Sequence, residues 1–179
     1  MNFFVLFSSV FMLAGCSLLS PAVKNVNYYD LTYSGRERYK VNCRFELRNF
    51  HNISPAKLNL LYTGKNSVIQ LDQYNYWVQS PEVMLRRFML NAVEPAADEK
   101  AKVLDASLTV FDFKFDIVAK ESVLGIHLIL KDRERETKFE KNYVVRTAVE
   151  QSDRNAYVAA MNKCAEQFII QAVNDIKKF

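Results

Sequence analysis

Val41, Cys43, Phe45 and Leu47 alternate with Asn42, Arg44, Glu46 and Arg48. A period of two turns one side of the backbone dry and the other wet, and so predicts a strand. The aromatic run Tyr28-Tyr29-Asp30-Leu31-Thr32-Tyr33 predicts an earlier one. Apolar residues at 58–62 and 68–71 predict two more, joined by a turn at Thr63-Gly64-Lys65-Asn66. Ser80-Pro81-Glu82 then opens a helix. Serine caps free amides, proline fits the first helical position, and glutamate favours the positive end of the dipole. Leu85, Phe88, Met89 and Ala92 recur at helical spacing, and the helix should end near Val93, ahead of Pro95.

Residues 103–118 read as a long strand whose apolar side switches partway. Leu104, Ala106, Leu108 and Val110 share one parity, and Phe111, Phe113, Phe115 and Ile117 share the other. Two causes produce such a switch: a bulge, or a sheet covered on different faces at different points along its length. Leu124, Ile126, Leu128 and Leu130 mark the next strand, and Phe139, Tyr143 and Val145 fall within another. The charges of Lys131-Asp132-Arg133-Glu134-Arg135-Glu136 alternate in sign, as at a solvated hairpin end. Ser152-Asp153 caps a closing helix whose stripe is Tyr157, Met161, Cys164, Ala165, Phe168, Ala172 and Ile176. No internal repeat interrupts this order, and the expectation is a single α/β domain.

The first fifteen residues carry no charged side chain and include an apolar run from Phe3 to Leu13. That length suits the core of a signal peptide and falls short of the roughly 20 residues needed to span a bilayer. Leu13-Ala14-Gly15-Cys16 follows, an apolar residue and two small ones ahead of a cysteine, which is the order of a bacterial lipobox. The expected layout is a signal peptide over 1–15, a lipidated tether over 16–27 with the acyl chains on Cys16, and a folded domain over 28–179. Anchoring by several chains is stable without further contact, whereas one chain holds only marginally.

The net charge is +4, and Lys and Arg are mostly interleaved with Asp and Glu, which argues against a nucleic-acid stripe. Glycines at 15, 35, 64 and 125 are too scattered for a phosphate-cradling loop. His51, in a predicted loop, and His127, on a polar strand face, lie far apart with no cysteine at finger spacing, so no metal site is expected. Asp112 and Asp116 flank Lys114 on one strand face, a spacing that suits acid/base work but follows equally from a wet face. No nucleophile motif is present, and neither a catalytic residue nor a cofactor is expected. Cys43 and Cys164 either pair, in a compartment that permits it, or sit as free thiols on their apolar stripes.

Two aromatic groups are candidates for a partner or ligand surface. Tyr74, Tyr76 and Trp77 precede the first helix and either pack beneath it or meet a partner. Phe111, Phe113 and Phe115 would take an acyl chain or a protein if uncovered, although the helices are available to cover them.

The assembled order resembles the ABC-type transport auxiliary lipoproteins, the PqiC-like family. The resemblance rests on the lipobox, on Tyr28-Tyr29-Asp30-Leu31 soon after it, on Tyr76-Trp77-Val78-Gln79-Ser80-Pro81-Glu82-Val83-Met84-Leu85, and on the strand pair and closing helix that follow. It implies a mixed-sheet sandwich with two main helices, similar to anticodon-binding-like domains. It also implies a lipid-anchored periplasmic accessory of an ABC transport system that moves lipids or other apolar compounds. The implied partners are a permease, an ATPase and a substrate-binding protein of the MCE (mammalian-cell-entry) type, with self-association as a further expectation. Ser17 after the cysteine, where an aspartate would retain the protein at the inner membrane, suggests the outer membrane. The alternative reading is an envelope lipoprotein that itself binds lipid or acts as a structural assembly factor.

Overall fold

The computed structural model describes residues 24–177. The expected signal peptide, Cys16 and Ser17 lie outside them, as do the last two residues. The described chain runs β1 (Asn27–Tyr29), β2 (Tyr39–Lys40), β3 (Arg44–Asn52), β4 (Asn59–Thr63), β5 (Ile69–Trp77), α1 (Pro81–Ala92), β6 (Val93–Glu94), β7 (Val103–Asp116), β8 (Glu121–Lys131), β9 (Thr137–Ala148) and α2 (Arg154–Ile176).

Seven strands form one mixed sheet in the order β1-β5-β4-β7-β8-β9, with β3 also on β7. β7, β8 and β9 make an antiparallel meander. The other edge of β7 is shared: β3 lies parallel to it from Val103 to Val110, and β4 lies parallel to it at Phe115 and Asp116. β2 and β6 form a separate parallel pair. The fold class is thus the expected one, a mixed sheet with two main helices.

Both helices cover one face of the sheet. α1 starts at Pro81 with Ser80 in the cap position, but the Ser80 hydroxyl donates to Glu82 at 2.5 Å instead of accepting an amide. Its buried side, from Met84 through Ala92, packs on β3 and β7. α2 is capped by Asp153, whose carboxylate accepts from the Ala156 amide at 2.9 Å. Its stripe of Met161, Cys164, Ala165, Phe168 and Ala172 packs on β8 and β9. The core lies between this sheet face and the helices.

Cys43 and Cys164 are both buried and free. Cys164 sits 3.2 Å from the Ser122 carbonyl and 3.2 Å from the Thr147 hydroxyl, and burial pushes its thiol up to about 11. Burial likewise raises the Cys43 thiol.

The switch of apolar side in β7 is a bulge. Val110 faces Ile126 and Asp112 faces Gly125, so Phe111 is the extra residue. The bulge restores Phe113 and Phe115 to the face already taken by Leu104, Ala106, Leu108 and Val110, and turns Phe111 outward. Its ring lies over Gly125, where an added Cβ would come 2.5 Å from Phe111 Cε2 and 2.8 Å from Asp112 Cβ. The glycine is required by close approach, the usual meaning of glycine inside a strand. Gly125→Ala should therefore destabilise the fold by about 1–3 kcal/mol through overpacking. The Phe111→Ala/Gly125→Ala double variant should recover part of that loss in urea unfolding. A single alanine variant as stable as wild type would refute the contact.

Two strands extend beyond their expected limits. β3 continues through His51, which therefore lies in a strand and not in a loop. Val41 and Cys43 precede β3 but keep their buried alternation. β5 includes Tyr74, Tyr76 and Trp77, which belong to the sheet and not to a segment leading into the helix.

Candidate functional site

A groove of about 1200 Å³ opens at the end of the sheet where α2 begins, between that helix and strands β1, β4 and β5. Its centre is Asp72. The β4–β5 register jumps between Asn59↔Tyr76 and Leu61↔Leu71, leaving a turn-like irregularity in β5 around residues 72–75. Asp72 organises it: one carboxylate oxygen accepts from the amides of Tyr74 (2.9 Å) and Asn75 (3.1 Å) and from the Asn75 side chain (2.8 Å). The other oxygen accepts from Arg154 Nε at 3.1 Å, tying the first turn of α2 to the strand. Asn75 extends the network to β1 by accepting from the Asn27 side chain at 3.0 Å and from the Tyr29 hydroxyl at 3.4 Å.

Burial acts to raise the Asp72 carboxyl. The bonds from Tyr74, Asn75 and Arg154 outweigh burial and hold it below the ordinary carboxylate value of 3.8. A carboxyl lowered in the folded state stabilises the fold above its unfolded pKa, and that stability is lost as pH falls through the folded value. Asp72→Asn keeps the acceptor for the two amides and removes the charge facing Arg154, so it should cost about 1 kcal/mol near pH 7, Arg154 being largely exposed. As pH falls through the folded value the wild-type carboxyl is protonated as well, and the gap should shrink toward zero. Urea unfolding of both proteins over a descending pH series checks this. A gap that stays constant down to the acid limit of the series would exclude the ion pair as its cause.

The floor of the groove is aromatic. Tyr62 and Tyr157 line it, and the buried Phe115 ring lies beneath both in tilted contact, with centroids 5.3 Å apart for Tyr62–Phe115 and 5.4 Å for Phe115–Tyr157. Tyr157 is 3 % exposed, yet its buried hydroxyl lacks a hydrogen-bond partner. Tyr62 lies close enough to Arg154 to feel its charge, but its hydroxyl too has no aligned partner. Burial, helped by the Asp72 charge, pushes Tyr62 up to about 12, and burial followed by the charge of Asp116 raises Tyr157. Both phenols are therefore neutral near pH 7.

The aromatic residues of the two candidate groups are divided among three places. Trp77, Phe113 and Phe115 are at most 2 % exposed and belong to the core, with the Trp77 ring edge-on to Phe113 at 5.1 Å. Their side chains point toward the helices, so these three are withdrawn from any partner surface. Tyr74 and Tyr76 remain half-buried on the outer side at the sheet edge. Lys24 Nζ sits 4.4 Å from the Tyr74 ring centre, and Tyr28 lies 6.0 Å from Tyr76. Phe111 is half-buried over Gly125.

The polar candidates stay apart from the groove, except that Asp116 helps to raise Tyr157. Asp112 pairs with Lys114 at 2.8 Å, and Asp116 accepts from the amides of Val118 and Ala119. His127 contacts Glu140 at 2.9 Å. Among the described residues, no group of His, Cys, Asp and Glu is placed to hold a metal ion. No described helix is long and apolar enough to cross a membrane. Asp72, Tyr62 and Arg154 were not singled out by sequence, and Tyr157 was expected only as part of a buried stripe. No spacing motif links them.

No family model matches the chain, and no curated protein matches it. Solved structures do. An uncharacterised protein superposes with a TM-score of 0.65 at 13 % identity, over 85 % of this chain and 99 % of the other. Protein XCC0632 from Xanthomonas campestris, of the DUF330 family, superposes with a TM-score of 0.60 at 15 % identity, over 82 % and 92 % of the two chains. Lipoprotein GNA1162 from Neisseria meningitidis aligns over 74 % of this chain and all of its own, at 13 % identity, but its TM-score of 0.27 carries no argument. At these identities the first two matches establish a shared fold.

Proposed function

We propose that this chain is a non-enzymatic, lipid-anchored envelope protein that serves as the accessory subunit of an ABC/MCE-type system moving lipids or other apolar compounds. The observation that carries this reading is a lipobox, Leu13-Ala14-Gly15-Cys16, set eleven positions ahead of the first strand of a domain with the fold of a DUF330 protein. The resemblance of its element order to the transport auxiliary lipoproteins supplies the partners: a permease, an ATPase and an MCE-type binding protein. Ser17 after the cysteine favours the periplasmic face of the outer membrane over the inner membrane. The alternative, a domain that itself holds an acyl chain, started from the Phe strip. Phe113 and Phe115 are spent on the core, which removes that starting point.

Affinity purification of the tagged full chain from gently solubilised native membranes tests the proposal. Recovery of a permease, an ATPase and an entry-type protein together is the expected result. Recovery of none of them, from membranes in which other envelope complexes survive, would sink it.

A further inference from the structure

Two hairpin ends lie side by side at one end of the sheet. β4 and β7 run parallel toward it, and the Ile117 amide donates to the Thr63 carbonyl at 3.1 Å. A methyl at Gly64 would sit 3.8 Å from Ile117 Cδ1, so the 64–68 and 117–120 connections touch. They carry, with the start of β5, five large apolar side chains left in the open: Val68, Ile69, Leu71, Ile117 and Val118 are between 41 and 57 % exposed. Isolated exposed apolar residues are ordinary, but a contiguous group marks a contact surface.

The route of the chain favours one occupant. β1 runs parallel to β5 from Asn27↔Asn75 to Tyr29↔Trp77, so the residues ahead of Asn27 lead back toward the start of β5 and this same end. Lys24, held over the Tyr74 ring, marks that path. The eleven positions from Cys16 to Asn27 reach at most about 40 Å when extended. A tether of that reach lets a bilayer holding acyl chains on Cys16 meet this end. Lys65 and Lys120 are exposed on the two connections themselves and Lys24 on the segment leading into β1. The neighbouring carboxylates sit back from the tip: Asp116 and Asp153 accept from backbone amides, Glu121 pairs with Arg146 and Asp72 with Arg154. Lysines beside an exposed apolar tip suit the phosphates of a headgroup layer.

We propose that the paired hairpin ends at 64–68 and 117–120 rest in the headgroup layer of the membrane to which Cys16 is anchored, with Val68, Ile69 and Val118 inserted and the three lysines facing anionic phosphates. This rests on the lipid-anchor reading and adds an orientation to it. The sheet then stands on the bilayer, with its β8–β9 hairpin pointing away.

The test is nitroxide accessibility on the full, processed chain reconstituted in vesicles of phosphatidylethanolamine and phosphatidylglycerol. One label goes on Val118→Cys and a control on Glu134→Cys, both exposed; Cys43 and Cys164 are buried and slow to react. The expected result is severalfold greater relaxation by oxygen than by an aqueous nickel chelate at position 118, and the reverse at 134. Water-like behaviour at both positions, in protein that floats with the vesicles and has acyl mass, overturns the orientation while leaving the anchor intact. Shielding of position 118 from both reagents would mean a protein cover and also overturns it. Absence of both acyl mass and flotation overturns the orientation together with the anchor reading.

Discussion

Trp77→Ala should lower the stability of the domain by about 3–5 kcal/mol, the range for removing a large aromatic side chain from a packed core. Tyr76→Ala, one position earlier, should cost no more than about 1 kcal/mol. Adjacent strand residues point to opposite faces, so the pair separates core from surface within one element. Trp77 is 2 % exposed and packs against Phe113 and Phe115, while Tyr76 lies outward beside Tyr28. Trp77 is the sole tryptophan, so urea unfolding should be followed by far-ultraviolet circular dichroism and not by fluorescence. Should the alanine variant fail to fold, Trp77→Phe, which keeps most of the ring contact, should fold with a smaller loss. Equal, small costs at 76 and 77 would return Trp77 to the surface and undo the assignment of the aromatic cluster.

Where the pattern of dry and wet positions is regular, it reads correctly; where an extra residue interrupts it, position is lost. The two helices and β8 follow regular periods and lie where those periods place them. In β3 the register slips between Leu47 and Asn49, and the sequence beyond Arg48 no longer alternates visibly, so His51 looked like part of a loop. The irregularity around Asp72 does the same to β5, hiding the fact that Tyr74 and Trp77 belong to one strand. In β7 the interruption itself was legible, because long alternating runs stand on both sides of Phe111. What decided between its two causes was the position of Gly125 across the sheet, which is a tertiary fact.

The groove was illegible for a different reason. Tyr62, Asp72, Arg154 and Tyr157 come from two strands and the start of a distant helix, and each taken alone has an ordinary explanation. Only the fold brings the carboxylate of one to the guanidinium of another, and only burial shows that two of the hydroxyls lack partners. Neither the ion pair nor the two buried hydroxyls has a local sequence signature, because each depends on residues far apart in the chain.

Cys16→Ser should abolish acylation altogether, the largest effect expected of any single substitution here. In the proposed lipid-anchored form the thiol carries the lipid, and the same cysteine closes the lipobox at which the leader would be removed. Labelled palmitate should therefore disappear from the variant, and its intact mass should still include the fifteen leader residues. Flotation is the wrong readout, because an uncleaved apolar leader still binds membranes weakly. At about 0.8 kcal/mol per buried methylene, several acyl chains bind far beyond the reach of the Phe3-to-Leu13 run, which is too short to span. A high-salt or alkaline wash should then strip the variant and leave the wild type in place. If the variant takes up label as the wild type does, the lipid sits elsewhere, and the anchored orientation and the accessory role both lose their footing.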